Sequence, residues 1–134
     1  MKCYILGAVT GSADNAKEIF ETYKEVLKDK ITVCGTPLET AKFEGTAEER
    51  FIRAEKAIRE VDLIIADMSA VSTGAGIEMG MAFILNKKII VFAKEGSNVS
   101  KLVTGMVGKE NMIYYKDSID LARKIQILNL GTVV

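Results

Sequence analysis

The stretch "DLIIADMSAVSTGAGIEMGMAFILNKKIIVFA", residues Asp62 to Ala93, decides the fold. It opens with an apolar run over 62–66, closes with another over 88–93, and has helical spacing between the two. Short apolar runs on either side of a helix are typical of buried parallel strands. The stretch therefore predicts a strand, a crossover helix and a second strand parallel to the first.

Three more apolar runs, separated by helical patterns, extend this unit along the chain. They cover residues 3–6, 31–34 and 111–115. Alternating strands and helices imply a parallel sheet with helices on both faces, and right-handed crossovers restrict the topology to a flavodoxin-like or Rossmann-like one. We therefore predict an α/β fold with a doubly wound, five-stranded parallel sheet of order 2-1-3-4-5, in a single domain spanning residues 1–134.

Helical spacing of apolar residues predicts what connects these strands. An amphipathic helix is predicted over 12–30, with Ser12 or Asp14 as its cap, and a last helix is predicted near 117–128. The apolar face of the first of these helices consists of Ala16, Ile19, Phe20, Tyr23, Val26 and Leu27. The helix before the third strand has one apolar face, made of Phe51, Ala54, Ile58 and Val61. The segment 35–49, which holds the only proline, is predicted to be irregular and is a candidate lid or edge loop.

The composition excludes several classes of function. Basic and acidic residues number 18 each, so no net field would recruit nucleic acid or an anionic membrane. Histidine is absent, which removes Ser-His and Cys-His couples and His-based zinc sites, and we expect neither a metal nor a cofactor. Two cysteines in apolar contexts, without a signal peptide or a long apolar run, predict a reduced, cytoplasmic protein.

Ligands of doubly wound sheets bind beyond the carboxyl ends of the strands, at the topological switch point. Here that point lies between the first and third strands, where the segments 7–12, 67–78 and 94–104 converge. The first of them is a turn of small residues whose backbone N–H groups would suit a phosphate or another anion. The same turn also fits a plain connection from strand to helix. Its candidate binding residues are Gly7, Thr10, Gly11 and Ser12.

Glu78 is the most informative residue of the second segment, because it is an acid among glycines, alanines and methionines. Taking a carboxylate out of water is costly unless the group is paired or bound to a ligand. Nearby, Ser69 and Ser72 supply hydroxyl groups, and Gly74 and Gly76 allow a close approach of the backbone to a ligand. The alternative is an ordinary acid near a helix N-terminus, favoured by the helix dipole.

Asp67 ends the third strand, where response-regulator receiver domains carry the aspartate that is phosphorylated. Those domains also need acidic residues after the first strand to hold magnesium. In this chain the corresponding turn begins Gly7-Ala8-Val9-Thr10 and carries no acid. A receiver is therefore excluded, and Asp67 stays a candidate catalytic residue.

The order of Ser72, the Gly74-Ala75-Gly76 run, Glu78 and Gly80-Met81-Ala82 resembles the nucleoside 2-deoxyribosyltransferase family. Within the family, the chain looks most similar to the 2'-deoxynucleoside 5'-phosphate N-hydrolases. The likeness runs from residue 4 to about residue 108, and its most specific part is 72–82 with the strand that follows.

The resemblance implies a chemistry that needs no histidine. Glu78 would attack C1' of a deoxyribosyl group, and water or a second base would resolve the glycosyl-enzyme. Tyr4 would stand beside it, although an aromatic residue in a strand otherwise suits the core. Ser72 would contact a 5'-phosphate, and Thr104 would act in the neighbouring subunit, which implies a homodimer with shared active sites. The resemblance also implies that the ligand would be a small molecule, a nucleoside or a nucleotide.

Two departures from the family pattern bear on activity. The first turn has Ala8 and Thr10 where the hydrolases carry a serine and an arginine, and Ala54 occupies the position of the sugar-orienting aspartate. The replacement carboxylate would be Glu55, Asp67 or Glu49. The resemblance therefore implies hydrolysis of, or deoxyribosyl transfer from, 2'-deoxynucleoside 5'-monophosphates, and the alternative is a catalytically weak member that binds and senses a nucleotide.

Overall fold

The computed structural model describes residues 1–9 and 16–130. Five parallel strands form one sheet in the order β2-β1-β3-β4-β5, which confirms the predicted fold class and strand order. The strands are β1 (Lys2–Gly7), β2 (Thr32–Val33), β3 (Leu63–Asp67), β4 (Lys88–Lys94) and β5 (Met112–Tyr115).

Helices cover both faces of the sheet. One face carries α1 (Ala16–Leu27) and α6 (Ser118–Gln126), and the other carries α3 (Ala47–Glu60), α4 (Thr73–Ile84) and α5 (Lys101–Val107). A short helix, α2 (Pro37–Lys42), lies against β1 and α1, and a 3-10 turn (Lys109–Asn111) precedes β5.

The central strand β3 shows why its sequence is almost continuously apolar. Leu63 and Ile65 pack into the core under α1 and α6, whereas Ile64 and Ala66 pack into the core under α3, α4 and α5. All five residues of the strand are buried. A strand covered on both faces cannot show the apolar and polar alternation of a half-exposed strand.

The predicted helices are present in the structure, but the apolar face of α3 is only partly buried. In α1, the residues Ile19, Phe20, Tyr23 and Leu27 of the predicted apolar face are buried. The candidate caps Ser12 and Asp14 lie outside the described residues. In α3, Ile58 is buried, but Phe51 is 54% exposed because the first half of this helix borders a cavity instead of the core.

The prediction of an irregular segment over 35–49 was wrong, because the segment contains α2 and the start of α3. Thr36 caps α2, Pro37 occupies its first turn, and the Glu39 carboxylate accepts the Thr36 N–H to complete a capping box. Thr46 and Glu49 form a second capping box at the start of α3. Both boxes are readable in the sequence as Thr-x-x-Glu.

The described parts of the chain contain no disulfide bond, no membrane-spanning helix and no cluster of metal ligands. Cys3 and Cys34 are both free thiols, the first buried and the second exposed. None of the helices over 1–9 and 16–130 has the length and apolar character needed to cross a bilayer. Within the same residues, no three Cys, Asp or Glu side chains converge in a way that could hold a metal ion.

Candidate active site

Glu78 lies in the second turn of α4 and lines a cavity of about 240 Å³ between α3 and α4. Tyr4 of β1 and Gly74 of α4 line the same cavity. The structure therefore brings together three of the residues that the sequence nominates. The remaining lining residues are Thr40, Phe43, Arg50, Phe51, Arg53, Ala54, Ile77 and Met81.

Burial raises the pKa of Glu78 from an ordinary value of 4.5 to about 7, and the positive charge of Arg53 partly offsets this effect. Among the residues that the structure describes, none donates a hydrogen bond to the Glu78 carboxylate or forms an ion pair with it within 4.0 Å. A half-buried carboxylate without a donor is costly unless a ligand uses it. Its oxygens are therefore available to a molecule in the cavity.

Tyr4 is held at the floor of the cavity by α2. Its hydroxyl lies 2.9 Å from Thr40 Oγ1, and the Thr40 hydroxyl also lies 3.3 Å from the Thr36 carbonyl oxygen. Because Thr40 has a single hydroxyl proton and donates it to Thr36, Tyr4 is the donor to Thr40. Gly35 leaves space for the ring, since a Cβ at this position would lie 2.7 Å from Tyr4 Cε2. The ring is thus fixed beside the cavity from two sides.

Arg53 and Phe43 form the opposite wall. Arg53 Nη1 donates to Thr40 Oγ1 at 3.3 Å, and its guanidinium carbon lies 4.9 Å from the centre of the Phe43 ring, within the range of a cation–π contact. Arg50 lies 5.6 Å from the same ring centre, but its Nη2 donates to the Phe43 carbonyl oxygen at 2.6 Å. Arg50 is therefore hydrogen-bonded to the backbone, whereas Arg53 faces the site.

Position 54 faces this cavity, so the alanine stands at the wall of the site instead of in the core. Two of the three carboxylates considered as replacements lie on α3 and are engaged elsewhere. Glu55 pairs with Arg59 at 3.0 Å, and Glu49 accepts the Thr46 N–H at 3.2 Å in its capping box. Neither of them lines the cavity, and Glu78 is its one carboxylate among the described residues.

Asp67 lies on the other face of the sheet, among side chains of the α1 and α6 core. Its Oδ2 accepts the hydroxyls of Tyr23 at 2.6 Å and Tyr115 at 2.7 Å, and its Oδ1 accepts the Ser69 N–H at 3.0 Å. Burial, followed by the negative charge of Asp67, raises the pKa of both phenols, so they stay donors. The geometry does not support the catalytic role predicted for Asp67, because β3 points this side chain away from Glu78 and three donors occupy its oxygens.

Ser69 and Ser72 lie on a larger groove of about 1050 Å³, on the other side of the first turn of α4. Ser69 Oγ accepts the Lys94 N–H at 2.8 Å, which ties it to β4. Ser72 caps α4 and accepts the Ala75 N–H at 3.1 Å. Gly76 lines this groove and Gly74 the Glu78 cavity, and a Cβ at either glycine would meet nothing within 4 Å. Their missing side chains leave room for a group outside this chain.

Of the remaining nominated residues, Gly7 and Thr104 are described and line neither of these two cavities. Gly7 ends β1, and a Cβ there would lie 2.5 Å from Phe20 Cζ, so close packing against α1 accounts for this glycine. Thr104 is half-buried on α5, and its hydroxyl donates to the Lys101 carbonyl oxygen at 3.2 Å. Thr10, Gly11 and Ser12 lie outside the described residues, and their role in binding an anion stays a prediction.

Sequence reasoning missed the contribution of α2 and of the polar side of α3. Thr40 and Phe43 come from a segment that was predicted to be irregular, and the capping box at Thr36 was the signal that could have identified its helix. Arg50 and Arg53 flank the predicted apolar face of α3 at a spacing of three residues. That spacing places both on one side of the helix, next to position 54.

Comparisons with known proteins identify the family of this chain and its fold. A family model described as nucleoside 2-deoxyribosyltransferase matches residues 3–126. A 5-hydroxymethyl-dUMP N-hydrolase of Tetraodon nigroviridis is 25% identical over 132 residues, covering 90% of this chain and 92% of that protein. A 2-deoxyribosyltransferase of Bacillus psychrosaccharolyticus has a TM-score of 0.72 at 20% identity, covering 97% of this chain and 93% of that one. A CMP N-glycosidase of Clostridium botulinum has a TM-score of 0.67 at 24% identity, covering 95% and 100%. The two solved structures share the fold of this chain.

Proposed function

Because the chain belongs to the nucleoside 2-deoxyribosyltransferase family, we propose that it cleaves the N-glycosidic bond of 2'-deoxynucleoside 5'-monophosphates, with Glu78 as the nucleophile. The observation that carries the proposal is the Glu78 carboxylate itself, which lines a cavity with Tyr4 and receives no hydrogen bond from the described residues. The curated relative from Tetraodon nigroviridis is an N-hydrolase of a deoxynucleotide, which supports the hydrolytic form of the reaction.

In the proposed reaction, a Glu78 oxygen forms a bond to C1' while the bond from C1' to the base nitrogen breaks. The base leaves with the bonding electron pair and takes up a proton, through an oxocarbenium-like transition state. Water then attacks C1', loses a proton and releases Glu78 and deoxyribose 5-phosphate. A second base in place of water would give the transferase form. Since burial raises the pKa of Glu78 to about 7, the nucleophilic form is lost progressively below that pH.

The 5'-phosphate would lie in the larger groove, beyond the first turn of α4. Ser72 and the N-terminus of this twelve-residue helix face that groove and offer a hydroxyl and backbone N–H groups to an anion. Lys101 lines the same groove and would supply a positive charge. The sugar would then span the turn at Gly74 and Gly76 to reach Glu78.

We also propose a homodimer with shared active sites, formed through residues 97–106. Thr104 lines neither cavity of its own chain, which fits a role in the neighbouring one. Leu102, which is 86% exposed, and Val71, which is 91% exposed, both line the larger groove. Val103, on the same helix, is buried in the core under α3, α4 and α5 and does not face the partner.

The dimer is tested by sedimentation at micromolar concentration, where we expect two chains per particle. Leu102→Glu places a charge in the proposed interface and is expected to yield a monomer with at least about tenfold less base release, because an uncompensated buried charge is costly. Ile119→Glu is the control, since Ile119 is 80% exposed on α6. A monomeric parent protein would contradict the proposal.

A catalytically weak protein that binds and senses a nucleotide is the second candidate. The observation that favours it is Ala54, which lines the cavity where a carboxylate would be expected to orient the sugar. Without that carboxylate, the site would keep its affinity for a nucleotide but would release the base much more slowly.

The test is incubation with each 2'-deoxynucleoside 5'-monophosphate, the matching ribonucleotides and the unphosphorylated nucleosides, with chromatographic detection of the free base. We expect release from at least one deoxynucleotide and at least about tenfold less from its unphosphorylated nucleoside. Calorimetric binding of a nucleotide without release of base by the natural protein would instead support the sensor and overturn the proposed enzyme.

A further inference from the structure

We propose that Arg53 is a positioning residue for Glu78: its guanidinium, held between Thr40 and Phe43 at the cavity wall, is the cation that keeps the Glu78 carboxylate in its charged, nucleophilic form. The inference rests on the proposed function of Glu78. It assigns a task in the reaction to α2 and to the polar side of α3.

The position of the guanidinium is fixed by two contacts on different sides. Thr40 Oγ1 accepts a hydrogen bond from Arg53 Nη1 at 3.3 Å, and the Phe43 ring lies 4.9 Å from the guanidinium carbon. Thr40 is itself held, because its hydroxyl donates to the carbonyl oxygen of Thr36, the N-cap of α2. A long side chain that is anchored in this way presents its charge in one place instead of sampling many rotamers.

The charged groups that face the cavity leave Arg53 as the partner of Glu78. Among the described lining residues, α3 contributes Arg50 and Arg53, and α4 contributes Glu78. The other two elements contribute hydroxyl groups, Tyr4 from β1 and Thr40 from α2. Arg50 donates to the Phe43 carbonyl oxygen at 2.6 Å, whereas Arg53 donates only to the Thr40 hydroxyl among the described residues and lines the cavity together with Glu78.

The arrangement suits a nucleophile better than a salt bridge would. Burial favours the protonated, unreactive carboxyl and raises the pKa of Glu78 to about 7, whereas the charge of Arg53 opposes that effect. The two groups form no ion pair within 4.0 Å in the described structure, so the charge acts through space. The carboxylate oxygens are stabilised as an anion and stay free to approach C1'.

The experiment compares Arg53→Met, Arg53→Lys and the matched control Lys56→Met. Met keeps much of the apolar stem of arginine and removes the charge. Lys56 also carries a positive charge on α3, three residues further on, but does not line the Glu78 cavity. The first readout is the pH titration of the Glu78 carboxyl carbon by NMR in the substrate-free protein, with the resonance assigned through its absence in Glu78→Gln. The second is the pH dependence of kcat/KM for base release.

For Arg53→Met we expect the Glu78 titration midpoint and the acidic limb of kcat/KM to move together to higher pH, by roughly one pH unit. At pH 6 that lowers kcat/KM by roughly tenfold, with little loss at pH 9. Arg53→Lys should restore part of the shift, and Lys56→Met should leave both midpoints in place. Thr40→Val, which removes one anchor, should shift them less and in the same direction.

An unchanged Glu78 midpoint in a folded Arg53→Met protein would overturn the proposal, as would an equal loss of kcat/KM at every pH. The NMR titration needs no turnover. If the natural protein releases no base, the proposed function fails, while the titration still decides whether Arg53 acts on Glu78.

Discussion

Glu78→Gln is expected to abolish base release, lowering kcat by about 10³-fold or more, because the amide cannot form the glycosyl-enzyme. The side chain keeps its size, so the cavity that it lines with Tyr4 and Ala54 should keep its shape. The measurement is single-turnover release of base from the best deoxynucleotide at pH 8, where most of the parent Glu78 is ionised.

The same variant should be more stable than the parent protein at high pH. The folded-state pKa of Glu78 is about 7, against an ordinary value of 4.5, so the parent loses stability as the pH rises through this window. Gln has no charge to bury. After allowance for solvent screening of a half-exposed group, we expect Glu78→Gln to add about 1 to 2 kcal/mol to the free energy of unfolding at pH 8 and almost nothing at pH 4.

Glu55→Gln is the control for both effects. Glu55 is a carboxylate of α3 that pairs with Arg59 and lies outside the cavity. The rate of base release by Glu55→Gln and the pH dependence of its stability should therefore stay close to those of the parent protein. Undiminished turnover by folded Glu78→Gln would remove Glu78 from the mechanism. A stability gain that is independent of pH would show that burial of its charge is not the cause.

Ala54→Asp is expected to increase base release by about 10² to 10⁴-fold, the typical contribution of a positioned acid or base. Position 54 lies at the cavity wall with Glu78, so the new carboxylate would face the sugar. A second negative charge also raises the pKa of Glu78 further, because like charges disfavour ionisation. The gain should therefore be largest above pH 8, and the rate is best measured across pH 6 to pH 10.

Ala54→Asn separates proton chemistry from shape, since it has nearly the same size and cannot ionise. It should give little of the gain. A thermal melt of each variant accompanies the kinetics, because Ala54 is half-buried and an unsatisfied Asp would lower the melting temperature. A folded Ala54→Asp protein without any gain in rate would refute the idea that position 54 takes the place of the family's aspartate.

Local patterns determined most of the fold. Apolar runs a few residues long predicted the five strands, because a strand buried on both faces has to be almost continuously apolar, as β3 is up to Asp67. Helical spacing of apolar residues predicted α1 and its buried residues Ile19 and Tyr23, because one face of an amphipathic helix packs against the core. The handedness of the crossovers then left strand order 2-1-3-4-5 as the simplest solution, and the structure has that order.

The sequence also nominated Glu78, because an acid among small apolar residues is costly without a partner, while it left an ordinary acid near a helix N-terminus as the alternative. The pairing of Tyr4 with Thr40 was not readable, since the two residues are 36 positions apart and meet only when α2 docks against β1. The position of Asp67 was equally hidden. The Asp67 side chain lies on the face of the sheet opposite to Glu78, where the hydroxyls of Tyr23 from α1 and Tyr115 from β5 donate hydrogen bonds to it.

Spacing along the chain thus determined which residues form each element and which carboxylate is exceptional, because both depend on neighbours within a few positions. The tertiary structure alone decided which groups surround that carboxylate. Arg53 and Ala54 are adjacent in α3, and nothing local distinguishes a surface arginine from one that acts on Glu78. The difference arises when α2 supplies Thr40 and Phe43 to hold the guanidinium at the cavity wall, a contact between elements that no local pattern specifies.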